Sequence, residues 1–276
     1  MTPTSRPIVF SSDFGYRNEW VGICHAVMAR IAPDGRIVDL SHGLPPLNVM
    51  AAARLLVDSL AYVASDAALV SIVDPSVGAD RDVAIEAHGG RLLVGPDNGL
   101  LVLACQTLGG VERAFEITSA EVVLEPVSPS FHARDILCPA AAYLAAGMEL
   151  EQLGPAVDPA TLTPLDLPEP LVEAGKIGCE VIDLKRFGNA QLNVRRANLT
   201  EAALDSPDQL EIRTLAASTR ARRAKTYADL LPDEYGLMFD PRGWLSLIRG
   251  NPGNAAAGLG LQMGDLVWLG DPRHHE

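Results

Sequence analysis

The chain has 276 residues, 48% of them hydrophobic, and a formal net charge of −13. That length suits one large domain or two ordinary ones, and the apolar content excludes wholesale disorder. The negative charge repels phosphate backbones and anionic lipid, so neither nucleic acid nor a membrane is an expected partner.

From the N-terminus, PIVFSSD (7–13) reads as a buried strand whose polar end carries Asp13. The next segment, 18–33, has Trp20, Ile23, Val27 and Ile31 at helical spacing, with Asn18 placed to cap it and Pro33 to end it. RIVDL (36–40) gives a second strand, and 48–63 a second helix capped by Asn48. AALVSIVD (67–74) is a strand ending at Asp74, and 82–99 reads as a hairpin turning at Gly89-Gly90. DILCPAAAYLAAG (135–147) is a helix with Asp135 at its start and Gly147 at its end. Alternating strands and helices predict an α/β domain over 1–155, a sheet flanked by helices.

Residues 156–175 are Pro-rich and aperiodic, which predicts a linker. Beyond it, KIGCEVIDL, AQLNVRR, LEIRTLA, GWLSLIRG and DLVWLG read as short strands, so 176–276 is expected to form a smaller all-β barrel or sandwich. The cysteines at 24, 105, 138 and 179 have no metal-binding spacing and fit reduced thiols in a cytoplasmic protein. Neither a signal-peptide core nor a run of about 18 apolar residues is evident.

Three polar segments carry chemistry. In SSDFG (11–15), Asp13 at a strand exit suits the two vicinal hydroxyls of a ribose. The triplet Asp13-Phe14-Gly15 does not mark a kinase, because the elements that must precede it have no room in 12 residues. In DPSVGADR (74–81), Arg81 is placed to fold back onto Asp74 as a charge-assisted pair. Asp97 and Asn98, in the tight turn GPDNG, read as structural. In SPSFHARD (128–135), His132 lies just before a helix, with Arg134 and Asp135 bracing it. The set has no metal-ligand spacing, no nucleophile elbow and no phosphate loop. It predicts a site that holds ribose-like hydroxyls and activates a small nucleophile without metal.

These segments, with IVDLSHGLPPLNV, LLVGPDNGLL, RFGN and NPGNAAAGLGLQMGD, resemble the S-adenosyl-L-methionine (SAM) hydroxide adenosyltransferase family, relatives of the fluorinase and chlorinase, almost end to end. The resemblance implies hydrolysis of SAM to adenosine and L-methionine, with SAM as substrate and no cofactor. It also implies a homotrimer binding adenosine between the N-terminal domain of one subunit and the C-terminal domain of the next. By matching positions, Asp13 holds the ribose. Asp74, Arg81 and His132 position and activate water, with His132 or Asp74 taking the proton. Asn189 and Tyr227 hold the adenine, and Arg242 and Asn251 to Ala256 complete the wall. Methionine leaves as a neutral thioether, so the difficulty lies in the nucleophile. His132 is favoured as base because imidazole titrates near neutrality. A carboxylate at Asp74 disfavours halide by roughly 1–4 kcal/mol at about 4 Å, against the halogenase alternative. A non-catalytic adenosine-binding protein, the other alternative, has no need of Arg81 and His132. Two departures from the family pattern are Lys185, where an acidic residue is usual (Asp183 is the nearby substitute), and Ala133 beside His132.

Overall fold

The computed structural model describes residues 5–272. The outermost residues of the two expected domains, 1–4 and 273–276, lie outside the described residues. The chain divides into two compact units, Met1–Asp166 and Leu167–Glu276.

In the first unit the elements run β1 (Ile8–Ser12), α1 (Trp20–Ile31), β2 (Ile37–Ser41), α2 (Val49–Ser59), β3 (Ala68–Ile72), β4 (Asp82–Ala87), β5 (Arg91–Pro96), α3 (Val102–Thr107), β6 (Val111–Glu116), a π-helical turn (Ala133–Leu137) continuing into α4 (Cys138–Ala145), and β7 (Ala156–Val157). They form one mixed sheet in the order β2-β1-β3-β5-β4-β6-β7. The first four strands are parallel, and β4, β6 and β7 join antiparallel. Successive side chains alternate between the faces of a strand, and both faces here are covered. Phe10, Val70, Ile72 and Ala84 pack with α1 and α4 residues. Val9, Leu69, Val83 and Ile85 pack with α2 and α3 residues on the other face.

Asn48 caps α2 as expected, its Oδ1 accepting from Ala51 N–H. The α1 expectation is corrected. Glu19 occupies the cap position rather than Asn18, and the buried stripe is Val21, Cys24, Val27 and Met28. Two overlapping stripes satisfy helical spacing, and packing against α4 selects this one. Trp20 is thereby turned outward, 42% exposed.

The expected linker also differs. Val157 pairs with Ala114 in the sheet, and Leu162 is buried. Thr163 bonds Asp97 through its N–H and its hydroxyl, at 2.9 and 2.8 Å. The prolines remove donors, but the remaining carbonyls and side chains still satisfy partners on the first unit. The segment's longest run with neither helix nor strand is 162–170.

The second unit comprises β8 (Leu171–Glu173), β9 (Lys176–Leu184), β10 (Ala190–Arg195), α5 (Arg196–Glu201), β11 (Gln209–Arg213), β12 (Ser218–Arg223), β13 (Tyr235–Phe239), β14 (Trp244–Arg249), α6 (Ala255–Leu259) and β15 (Leu266–Gly270). Strands β9, β10, β14, β13, β12, β11 and β15 follow one another and close through the β15–β9 pairing into a seven-stranded barrel, with β8 appended. Val181, Leu192, Leu245, Leu247 and Val267 are among its filling. Among the described residues no helix is long and apolar enough to cross a membrane.

Candidate active site

Strand β1 lies between β2 and β3, so the chain leaves β1 toward one neighbour and later returns on the other side. Crevices at such reversals, outside the carboxyl ends of parallel strands, are the usual ligand sites of open α/β sheets. A cleft of about 370 Å³ opens here, its lining including Asp13, Trp20, Leu47, Asp74, Phe131 and His132. Asp13 follows β1 and Asp74 follows β3, so the sheet brings together carboxylates 61 positions apart in the chain.

Leu47 N–H donates to Asp13 Oδ2 at 2.7 Å, and Leu47 sits at φ 61°. A left-handed leucine costs about 1–2 kcal/mol, which the bond to an ionised acceptor offsets. The other Asp13 oxygen makes no hydrogen bond among the described residues, so it retains acceptor capacity.

Asp74 Oδ1 accepts from Ser76 N–H at 3.0 Å, opening the loop toward β4. In that loop Gly78 has φ +84°, and a Cβ there would come within 3.1 Å of the Pro129 carbonyl oxygen. Glycine therefore permits the loop to lie against the segment bearing His132. That segment is held by Asp135, which accepts from Ser128 N–H at 2.8 Å and pairs with Arg134, as expected of a brace.

The sequence reading missed the group that orients His132. Its Nδ1 lies 2.7 Å from Asp82 Oδ2, with both side chains largely buried. With Nδ1 engaged, Nε2 is the nitrogen left for chemistry. Arg81 does not fold back onto Asp74. Its guanidinium binds Asp97 through Nε at 3.1 Å and Nη2 at 2.5 Å, and donates to Thr161 O at 2.9 Å. Strand alternation explains the correction. Asp82 shares a face with Ala84, on the side of α4, whereas Arg81 shares the opposite face with Val83. Asp97, expected to be a turn residue, is thus the buried partner of Arg81.

Burial raises the Asp82 pKa to about 6, with Asp74 and Asp80 adding to the rise and His132 opposing it. Burial likewise raises Asp74, aided by Asp80 and Asp13. A carboxyl raised in the folded state binds protons there that the unfolded chain has released. The Asp82 contribution to stability is therefore fully present below about pH 4 and lost as pH rises through about 6. Denaturant midpoints measured from pH 4 to 7 should show this fall, and Asp82→Asn should flatten it. An equal slope in the variant would assign the effect to other groups.

The remaining expected site residues lie in the second unit. Asn189 Nδ2 donates to the Tyr227 hydroxyl, so the two side chains lie together. Gly188 allows it: a Cβ there would lie 2.1 Å from the Asn254 side chain, which caps α6 through Ala257 N–H. Ala256 N–H donates to Gly188 O at 2.9 Å, docking the Asn189 segment on the start of α6. Asn251 lies exposed in the turn before α6. Arg242 is bound to Asp240, with Nε at 3.2 Å and Nη2 at 3.0 Å. Asp183 is ion-paired with Lys185, which neutralises the carboxylate proposed to substitute there.

Fold and cleft define a class: a doubly wound α/β unit with carboxylates and an oriented imidazole at its strand exits, joined to a β-barrel. The chain belongs to the SAM hydroxide adenosyltransferase family, whose N-terminal domain model matches residues 8–154 and whose C-terminal domain model matches 179–268. It is 38% identical over 97% of its length to 98% of an (R)-S-adenosyl-L-methionine hydrolase of Salinispora tropica. A fluorinase of Actinoplanes is more distant, 28% identical, covering 94% of this chain and 98% of the enzyme. A crystal structure of a conserved Thermotoga maritima protein superposes with a TM-score of 0.86 at 30% identity, over 95% of this chain and 99% of that one.

Proposed function

We propose that this chain hydrolyses S-adenosyl-L-methionine to adenosine and L-methionine, with water attacking C5′ in line with the C5′–S bond. The observation that carries the mechanism is the cleft at the β1–β3 exits, where Asp13, Asp74 and His132 meet and Asp82 fixes the imidazole. His132 Nε2 takes a proton from water as the O–C5′ bond forms. The C–S pair of electrons returns to sulfur, and neutral methionine departs without a general acid. Asp74 holds the water and disfavours halide. In-line positioning in a partly enclosed cleft supplies much of the acceleration. No step requires a cofactor or metal. Arg81 acts indirectly, by holding Asp97 and with it the start of β4.

Asp13 binds the ribose diol, while Asn189 and Tyr227, with the wall from Asn251 to Ala256 and Arg242, bind the adenine from a neighbouring copy in a homotrimer. Exposed apolar side chains near both sets, Tyr16, Leu47 and Val77 in one unit and Phe187, Tyr227 and Leu231 in the other, support burial by another subunit. The four buried, unpaired cysteines support a cytoplasmic location.

The test is chromatography of products from each sulfonium epimer of SAM, with and without chloride. Adenosine and methionine formed regardless of chloride, from the R epimer named for the Salinispora relative, are expected. A 5′-chloro nucleoside, or no turnover of either epimer, overturns the reading. Asp13→Ala should raise KM roughly ten- to a hundredfold, since hydrogen bonds to a charged group contribute about 1.5–3 kcal/mol. An unchanged KM would remove the ribose from Asp13.

A further inference from the structure

We propose that His25, Asp39 and His42 form a binding site for a zinc-class divalent cation, separate from the catalytic cleft. His25 comes from α1, Asp39 from β2, and His42 from the turn that follows β2. Their ligand atoms all lie within 4.8 Å of one another, and none of the three lines the cleft. His25 Nε2 is 2.8 Å from Asp39 Oδ1, and His42 Nε2 is 3.1 Å from the same oxygen. Around a tetrahedral zinc with bonds of about 2.0–2.1 Å, neighbouring ligand atoms stand roughly 3.3 Å apart. Small side-chain rotations therefore admit the ion.

A second observation points to a cation. His42 is fully buried, and its Nε2 points at the Asp39 carboxylate oxygen that His25 also faces, so both imidazole nitrogens and the carboxylate converge on one point. The other His42 nitrogen, Nδ1, lies 2.7 Å from Ser12 Oγ, an outer partner of the kind that orients metal-bound imidazole. The Phe10 and Tyr16 rings meet the His42 ring edge to face, with centroids 4.4 and 5.4 Å away, forming an apolar wall. His25 and Asp39 are about one-third exposed, at 34% and 30%, which leaves a path for entry and room for a water ligand. Two imidazoles, one carboxylate and an open position suit zinc and its neighbours better than calcium or magnesium.

Occupancy also reaches the cleft. His42 O accepts Gly15 N–H at 2.7 Å, and Ser12 immediately precedes Asp13. A bound ion therefore braces the exit of β1, on which Asp13 rides.

The experiment uses the full chain carrying His274→Ala and His275→Ala, because that terminal pair would itself bind metal. After chelator treatment and dialysis, Zn2+ is titrated calorimetrically and Co2+ optically. One saturable equivalent is expected, with the visible d–d absorption of low-coordinate Co2+ and a rise of several degrees in the thermal midpoint. His25→Ala, and independently Asp39→Asn, should weaken binding at least tenfold and abolish the visible band, with circular dichroism unchanged. No saturable binding by the parent, or parental affinity in both variants, overturns the site.

Discussion

His132→Ala is expected to lower kcat for SAM hydrolysis by about 10²–10⁴-fold, the range supplied by a positioned general base, with KM nearly unchanged. Asp82→Asn should produce a substantial part of the same loss without touching substrate. The carboxylate accepts from Nδ1 and leaves Nε2 as base, whereas an amide stabilises the wrong tautomer as readily as the right one. The pH profile separates orientation from mere damage. Below about 6 the raised Asp82 carboxyl takes a proton, the Nδ1 bond weakens, and kcat/KM falls. At higher pH the carboxylate is restored and the rate recovers. In Asp82→Asn that acid limb should shift or shrink. A profile identical to wild type would mean that the acid limb belongs to Asp74 or to another group, and that Asp82 is a packing residue.

Arg81→Ala should act on stability before it acts on chemistry. Asp97 is 3% exposed, so removing its cation strands a buried carboxylate. Breaking a fully buried pair costs about 3–5 kcal/mol. Arg81 is itself 36% exposed, and Asp97 keeps its bond from Thr163, so roughly 2–3 kcal/mol is expected here. Urea midpoints will read the loss, and the double variant Arg81→Ala/Asp97→Asn should recover part of it because no unpaired charge then remains. Abolished turnover with a wild-type midpoint would return Arg81 to the catalytic groups.

The contrast between these residues shows how much of the site the sequence carried. Asp13 and Asp74 were legible because each ends a buried apolar run, and polar ends of parallel strands gather at one edge of the sheet. His132 was legible from its position beside a helix start. Asp82 was not, although its signal was present: DVAIEA alternates across two buried faces, and parity places Asp82, not Arg81, with Ala84. Counting a period of two from Ala84 would have found it. In the barrel, β12 was missed because STRARR buries only Ala221, and an arginine-rich strand has no apolar rhythm to read. The resemblance placed both Asn189 and Tyr227 at the adenine, but nothing in the 37 residues between them states that they touch each other.

By itself the sequence determined the alternation of elements, the change from a mixed α/β pattern to short strands, and the residue types at strand exits. Those follow from local periodicity, turn chemistry and capping, which act over a few residues. The tertiary structure alone decided which stripe of α1 is buried, that Pro-rich residues after 155 pack on the first unit, and that Asp97 rather than Asp74 receives Arg81. It also decided that His25, Asp39 and His42 converge. Each of these depends on which of two faces, or which of several partners, lies across a packed interface. Such choices are made by burial and charge pairing between segments far apart in the chain, and local sequence leaves them open.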